Sequence, residues 1–244
     1  MAVGRYDRQV ALPGFGEAAQ RKLREATVVV VGAGGLGSPV LTYLAGCGVG
    51  HLIIVDDDVV ALHNLHRQVI YTSAQIGRPK AELAAQFVTA LNPEVRATPV
   101  RERVTGDTAS SLVASANAVV DCCDNLPTRY AVNEACVRAR VPLVWAAIGR
   151  YAGRCSVVLP GGPCLACLMG PIGDVPHLPP VEETGVFPPV CGVTGSLAAG
   201  ETVKVLTGVG HPLAGRLANI DALTGELAVI DIAKNPQCPI SCWS

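Results

Sequence analysis

Thr27-Val28-Val29-Val30-Val31-Gly32-Ala33-Gly34-Gly35-Leu36-Gly37 runs from a β-branched stretch straight into a glycine loop, and Ser38–Cys47 continues it with helical spacing. β-Branched residues suit a pleated, buried surface, glycines let the backbone turn tightly, and a proline at 39 fits a first helical turn. The stretch therefore reads as strand, loop and helix. Working outward, His51–Val55 is a second apolar run ending on Asp56. Arg78–Leu91 carries apolar positions at 83, 84, 87, 88 and 91 and closes at Asn92-Pro93, as a helix should. Ala118–Asp121 reads as a buried strand, Thr128–Arg140 as a helix and Leu143–Ile148 as another strand. Strands alternating with helices predict an α/β fold whose doubly wound, Rossmann-like, mostly parallel sheet is covered on both faces.

After Gly149 the texture changes. Arg154–Leu159, Leu217–Asp221 and Leu227–Asp231 look like strands that extend the sheet in antiparallel fashion, with a hairpin turn at Gly225. Between them, Gly170–Pro189 holds six of the chain's 18 prolines and no periodicity, which marks a mobile or functional crossover loop. Thr194–Leu206 resumes as a helix. No repeat and no linker divides the sequence, so residues 1–244 are expected to form one domain, with a nucleotide-binding core over about 27–150 and additional strands over 151–244.

Half of the 244 residues are hydrophobic and only 16% are charged, a shortage that suggests apolar surface buried in a homo-oligomer. A net charge of −1 gives no electrostatic reason to expect nucleic acid or an acidic membrane as partner. No stretch approaches the roughly 18 apolar residues of a membrane span, and the start resembles no signal peptide, so a cytoplasmic protein is expected.

The glycines at 32, 34, 35 and 37 allow close approach to a phosphate at the start of the following helix. Alone, this motif fits a nicotinamide-dependent oxidoreductase as well as any other nucleotide binder. Asp56 lies 24 positions after Gly32, where a carboxylate can hold a ribose. Asn64, Arg67 and Gln68 are spaced to share one side of a helical turn, and Lys80 follows Gly77-Arg78-Pro79. The chain has 15 arginines and only four lysines, so a lysine here suggests a compact point charge for a phosphate rather than a solvated side chain. Asp124 follows the buried strand Ala118–Asp121 at its carboxyl end; it suits Mg²⁺ on a triphosphate, or a helix cap before Pro127 and Thr128.

These residues, with Arg5-Tyr6-Asp7-Arg8-Gln9 at the start, resemble the MoeB/ThiF/HesA family, bacterial relatives of ubiquitin-activating enzymes, over nearly the whole chain. The resemblance implies an adenylyltransferase that uses ATP and Mg²⁺ to activate the C-terminal glycine of a small ubiquitin-like sulfur-carrier protein ending in Gly-Gly. It implies a homodimer, with Arg8 reaching the phosphates of the other subunit. Asp56 would hold the ribose, Asn64, Arg67 and Lys80 the triphosphate, and Asp124 the metal, with Asp58, Gln68 and Asn125 beside the nucleotide. A carboxylate attacking an α-phosphate needs such cations, because two negative partners must approach each other. Adenylation of a non-protein carboxylate and a non-catalytic scaffold that docks a carrier are the other possibilities.

Ten cysteines in a chain of this length are not a disulfide framework. Cys47, Cys122, Cys123, Cys136 and Cys155 lie in apolar segments and read as buried thiols. Cys164 and Cys167 form one close pair, and Cys238 and Cys242 form a second with a three-residue gap; two such pairs can meet around a structural zinc. The family has a zinc at these places, usually with a two-residue gap in the second pair. Family members that transfer sulfur often carry a cysteine in the loop matching Gly170–Pro189, where this chain has proline instead. The nearby thiol is Cys191, before a helix expected near Thr194; it suits a low-pKa nucleophile or, better, a buried packing group. No sulfurtransferase segment follows Cys242, so the sulfur is expected from a separate donor.

Overall fold

Val28 and Val30 of the first strand join one apolar core while Val29 and Val31 join a second, so an uninterrupted β-branched run feeds both faces of a sheet. The structure, a computed structural model, describes residues 4–175, 181–240 and 242. Its strands are β1 (Thr27–Val31), β2 (His51–Val55), β3 (Arg96–Val100), β4 (Ala118–Asp121), β5 (Leu143–Gly149), β6 (Ala152–Val158), β7 (Arg216–Asp221) and β8 (Glu226–Asp231). They form one eight-stranded sheet in the order β3-β2-β1-β4-β5-β6-β7-β8. The first five in that order are parallel, and β6, β7 and β8 add on antiparallel. The strand order reverses between β1 and β4, which opens a crevice at the carboxyl ends of those two strands.

The α-helices are α1 (Asp7–Val10), α2 (Gly16–Glu25), α3 (Gly37–Cys47), α4 (Lys80–Leu91), α5 (Gly106–Val113), α6 (Leu126–Ala139), α7 (Leu165–Met169), α8 (Val181–Thr184) and α9 (Pro188–Thr207). Leu41 and Leu44 of α3, Leu83 and Val88 of α4 and Ala198 of α9 pack with Val28 and Val30 on one face. Val113 of α5 and Val132 and Cys136 of α6 pack with Val29, Val31 and Trp145 on the other. β4 is buried at every position, whereas β8 is exposed at every position.

The structure shifts several sequence-based boundaries. The third parallel strand, β3, and helices α2 and α5 were not expected from the sequence. α4 begins at Lys80 because Pro79 is extended, with ψ 131°. α9 begins at Pro188, six residues before the expected start, because its two prolines occupy the first helical turn, where no amide donor is missed. Of the crossover segment, residues 176–180 lie outside the described residues. Gly225, with φ +80°, makes the expected hairpin between β7 and β8.

Candidate functional site

The glycine loop sits where the strand order reverses. Gly32 has φ +93°, and a Cβ on it would lie 2.9 Å from the Cys122 carbonyl oxygen in the turn after β4. A Cβ on Gly37 would lie 2.1 Å from the Gly32 carbonyl, so neither position accepts a side chain. The loop is flanked by the segment that follows β2. A Cβ on Gly34 would meet Gln68 Nε2 at 3.4 Å, and one on Gly35 would meet Arg67 Cδ at 3.5 Å and Cys191 Sγ at 3.0 Å. Arg67 and Gln68 thus lie close against the loop.

Asp56, at the end of β2, accepts hydrogen bonds from the Ala33 amide (2.8 Å) and the Asp58 amide (2.9 Å). Burial raises its carboxyl pKa above the usual value, against the lowering effect of those two amides and of Lys80. Lys80 is 5% exposed at the start of α4, and its Nζ pairs with Asp58 Oδ2 at 2.5 Å. The Asp58 side chain is 61% exposed; burial opposes its ionisation, yet the Lys80 hydrogen bond and charge leave its pKa below the ordinary value. Asn64 is buried and accepts from the Ala61 amide at 3.0 Å, which holds the short turn Leu62–Asn64. Arg67 Nη1 donates to the His63 carbonyl at 3.0 Å. Gln68 is buried, and its Oε1 has no hydrogen-bond partner. A buried acceptor left open beside a phosphate loop suits a ligand donor better than a packed core.

Asp124 is exposed in the turn after β4. The helix cap that it might have supplied comes from Asn125 instead, whose Oδ1 accepts from the Thr128 amide at 3.0 Å. The same turn is braced from beneath by Arg129, which pairs with the fully buried Asp121 at 3.0 Å and donates to the Cys123 and Ala146 carbonyls. Its guanidinium lies 5.7 Å from the Trp145 ring centre. Arg8 is the expected site residue that the fold does not bring to this crevice. Its neighbours Tyr6 and Gln9 are tied to Asn92 (2.8 Å) and to Gln20 (2.7 Å) and the Cys47 carbonyl (3.1 Å), at the end of α3 away from the glycine loop. Arg8 itself is exposed there.

Cys191 lies inside α9 and is 1% exposed. Burial pushes its thiol up to about 11 despite the Arg67 charge nearby, the reverse of what an activated nucleophile needs. The buried-thiol alternative is what the structure carries. Tyr71 was missed by the sequence reading; its hydroxyl donates to the Ala33 carbonyl (2.8 Å), and the Lys80 carbonyl lies 3.2 Å away.

The four remaining cysteines converge. Cys164, Cys167, Cys238 and Cys242 place their sulfurs within 4.8 Å of one another, with pairs at 3.8, 3.6 and 3.4 Å. A tetrahedral zinc with Zn–S bonds of about 2.3 Å needs sulfur edges of about 3.8 Å, so the set fits a closed four-thiolate site. The three-residue gap does not keep Cys242 out of the group. Burial works against thiolate formation here, yet amide donors from Cys242 and Ile240 bring the Cys238 thiol down to about 7.

A glycine loop, a strand-end acid and a buried lysine at the reversal point of a doubly wound sheet define a nucleotide-binding α/β protein. The chain belongs to the ThiF family, whose model matches residues 6–240. It is 45% identical over 242 residues to the sulfur carrier protein adenylyltransferase of Thermus thermophilus, covering 97% of this chain and 89% of that protein. It is 42% identical over 236 residues to the SAMP-activating enzyme E1 of Haloferax volcanii, covering 97% and 87%. It is 39% identical over 238 residues to the molybdopterin-synthase adenylyltransferase of Salmonella typhimurium, covering 97% and 95%. Among solved structures, E. coli MccB with ATP superposes with a TM-score of 0.86 at 25% identity, covering all of this chain and 75% of that one.

Proposed function

We propose that this protein adenylates the C-terminal carboxylate of a small ubiquitin-like sulfur-carrier protein ending in Gly-Gly. The observation that carries the proposal is the buried lysine. Lys80, paired with Asp58 two residues past the strand-end acid, and Arg67, packed against Gly35, put positive charge beside the crevice, which a nicotinamide binder would not use and a triphosphate would. The names of the curated relatives favour a carrier protein as the acceptor.

In the reaction, a carboxylate oxygen of the carrier attacks the α-phosphorus of ATP; the bond to the bridging oxygen breaks and pyrophosphate leaves. Asp56 accepts hydrogen bonds from the ribose hydroxyls on the lone pairs that its two amide donors leave free. The loop amides, Lys80, Arg67 and Asn64 engage the phosphates and take up their negative charge as it shifts, with Gln68 and Asn125 beside the nucleotide. Asp124, exposed at the carboxyl end of β4 and relieved of capping, would hold Mg²⁺, which would supply positive charge against the phosphates.

Two further parts belong to the proposal. The four thiols would hold a structural zinc that ties the exit of β6 to the tail after β8. The protein would act as a homodimer, in which Arg8 serves the partner's crevice because its own arm is anchored at the wrong end of α3. Tyr43, Val69 and Val193, exposed by 54%, 72% and 50%, flank an apolar groove between α3 and α9 that a second copy would cover. With Cys191 buried and protonated, sulfur would come from a separate donor. Incubation with ATP, Mg²⁺ and Gly-Gly-ended carriers should add the mass of one AMP to a carrier; tight NADH binding without pyrophosphate release would point to an oxidoreductase instead.

A further inference from the structure

Tyr71 has no task in the chemistry above, yet its hydroxyl sits between the two elements that carry the phosphate-facing groups. It is 6% exposed and its ring belongs to the α3–α4 face of the core. The hydroxyl donates to the Ala33 carbonyl at 2.8 Å, with the Lys80 carbonyl at 3.2 Å. From there a continuous circuit can be followed. The Ala33 amide donates to one oxygen of Asp56 at 2.8 Å, and the other oxygen accepts from the Asp58 amide at 2.9 Å. The Asp58 carbonyl accepts from the Lys80 amide at 3.0 Å, and its carboxylate holds the Lys80 ammonium. The Lys80 carbonyl then faces the tyrosine again. Tyr71, with one proton shared between the two carbonyls, closes this ring between the glycine loop and α4.

We propose that Tyr71 is a positioning residue for adenylation, its hydroxyl fixing the glycine loop relative to the Lys80 ammonium. The inference rests on the adenylation reading. Gly34 and Gly35 give the loop more freedom than any other residues would. Both ends of the Ala33 peptide are tied, one to the ribose acid and the other to Tyr71, so the freedom is removed just before those glycines begin. A phenylalanine would fill the same volume and leave the Ala33 carbonyl without that donor. Positioning errors of this kind act on the transition state more than on packing, because charge must meet the phosphates within a fraction of an ångström.

The test is a cycle of Tyr71→Phe, Lys80→Ala and the double variant, each as the full-length protein with its carrier, read by ATP–pyrophosphate exchange and by equilibrium ATP binding. Tyr71→Phe should stay folded and lose about tenfold in kcat, the rate equivalent of one hydrogen bond, while KM for ATP changes less. In the Lys80→Ala background the same change should cost little more, because the group being positioned is gone. Exchange by Tyr71→Phe within twofold of the wild type overturns the proposal, as does a loss of equal size in both backgrounds. Failure of Tyr71→Phe to fold assigns the hydroxyl to stability and overturns it too. A wild-type protein that exchanges with no Gly-Gly carrier sinks the adenylation reading and takes this inference with it.

Discussion

The two halves of the sheet are held by different physics. In the parallel half, strands such as β4 are buried along their whole length between helices on both faces, and that packing keeps Asn64, Gln68 and Lys80 out of water. In the antiparallel half, β8 is exposed at every residue, and Leu227, Val229 and Ile230 are 59%, 49% and 54% exposed. The first half can bear the cost of buried polar groups because its core is large. The second half has little core at its edge, and four thiols from its tail and from the exit of β6 converge. The polar groups of the crevice sit on the well-packed half, and the four-thiol cluster lies where the tail after β8 meets the second core.

Three experiments would break or sharpen that contrast. The largest effect is expected from Asp124→Ala, which should cut ATP–pyrophosphate exchange by about 10²–10³-fold, the usual loss for one group at a developing charge. Its melting temperature should not move, because Asp124 is exposed and the helix cap comes from Asn125. Near-normal exchange would remove Asp124 from the mechanism. Next, Cys238→Ser should abolish the one zinc per chain expected by metal analysis. Amide exchange in the tail should then quicken by at least about 100-fold, a small part of the roughly 10 kcal/mol a structural zinc supplies. Amides of β1 and β4 should stay protected; equal loosening of both halves would show that they are not held separately. The smallest effect belongs to Cys191→Ala, which should leave exchange within about twofold, since a thiol held protonated offers no nucleophile. A large loss there would restore Cys191 to the chemistry.

The same contrast explains how much was legible. β1, β2 and β4 are continuous apolar runs, and a glycine loop after the first of them leaves few alternatives. β3 was not, because Arg96-Ala97-Thr98-Pro99-Val100 is an edge strand with a polar face and a proline. α2 buries only Ala19, Gln20 and Leu23, too narrow a stripe to register between loops. Pro188 and Pro189 read as loop until the helix that begins on them is seen. In the site, Asp56, Arg67, Gln68 and Lys80 stood out by residue type, spacing and family resemblance; the first three lie against the glycine loop, and Lys80 pairs with Asp58 beside Asp56. Tyr71 was lost in Val69-Ile70-Tyr71, where it looks like one more apolar residue. A hydroxyl that matters only through two distant carbonyls leaves no trace in spacing.

The ion pair between Lys80 and Asp58 has a consequence for what the crevice admits. At rest, the ammonium already faces a carboxylate, so its field is largely cancelled and a passing monoanion finds little to gain. A triphosphate presents several charges at once and can displace that carboxylate, which is exposed enough to swing into water. If the proposed function holds, the built-in counter-ion would act as a threshold, sorting incoming nucleotides by how much charge they carry before any atom of the base or sugar is read.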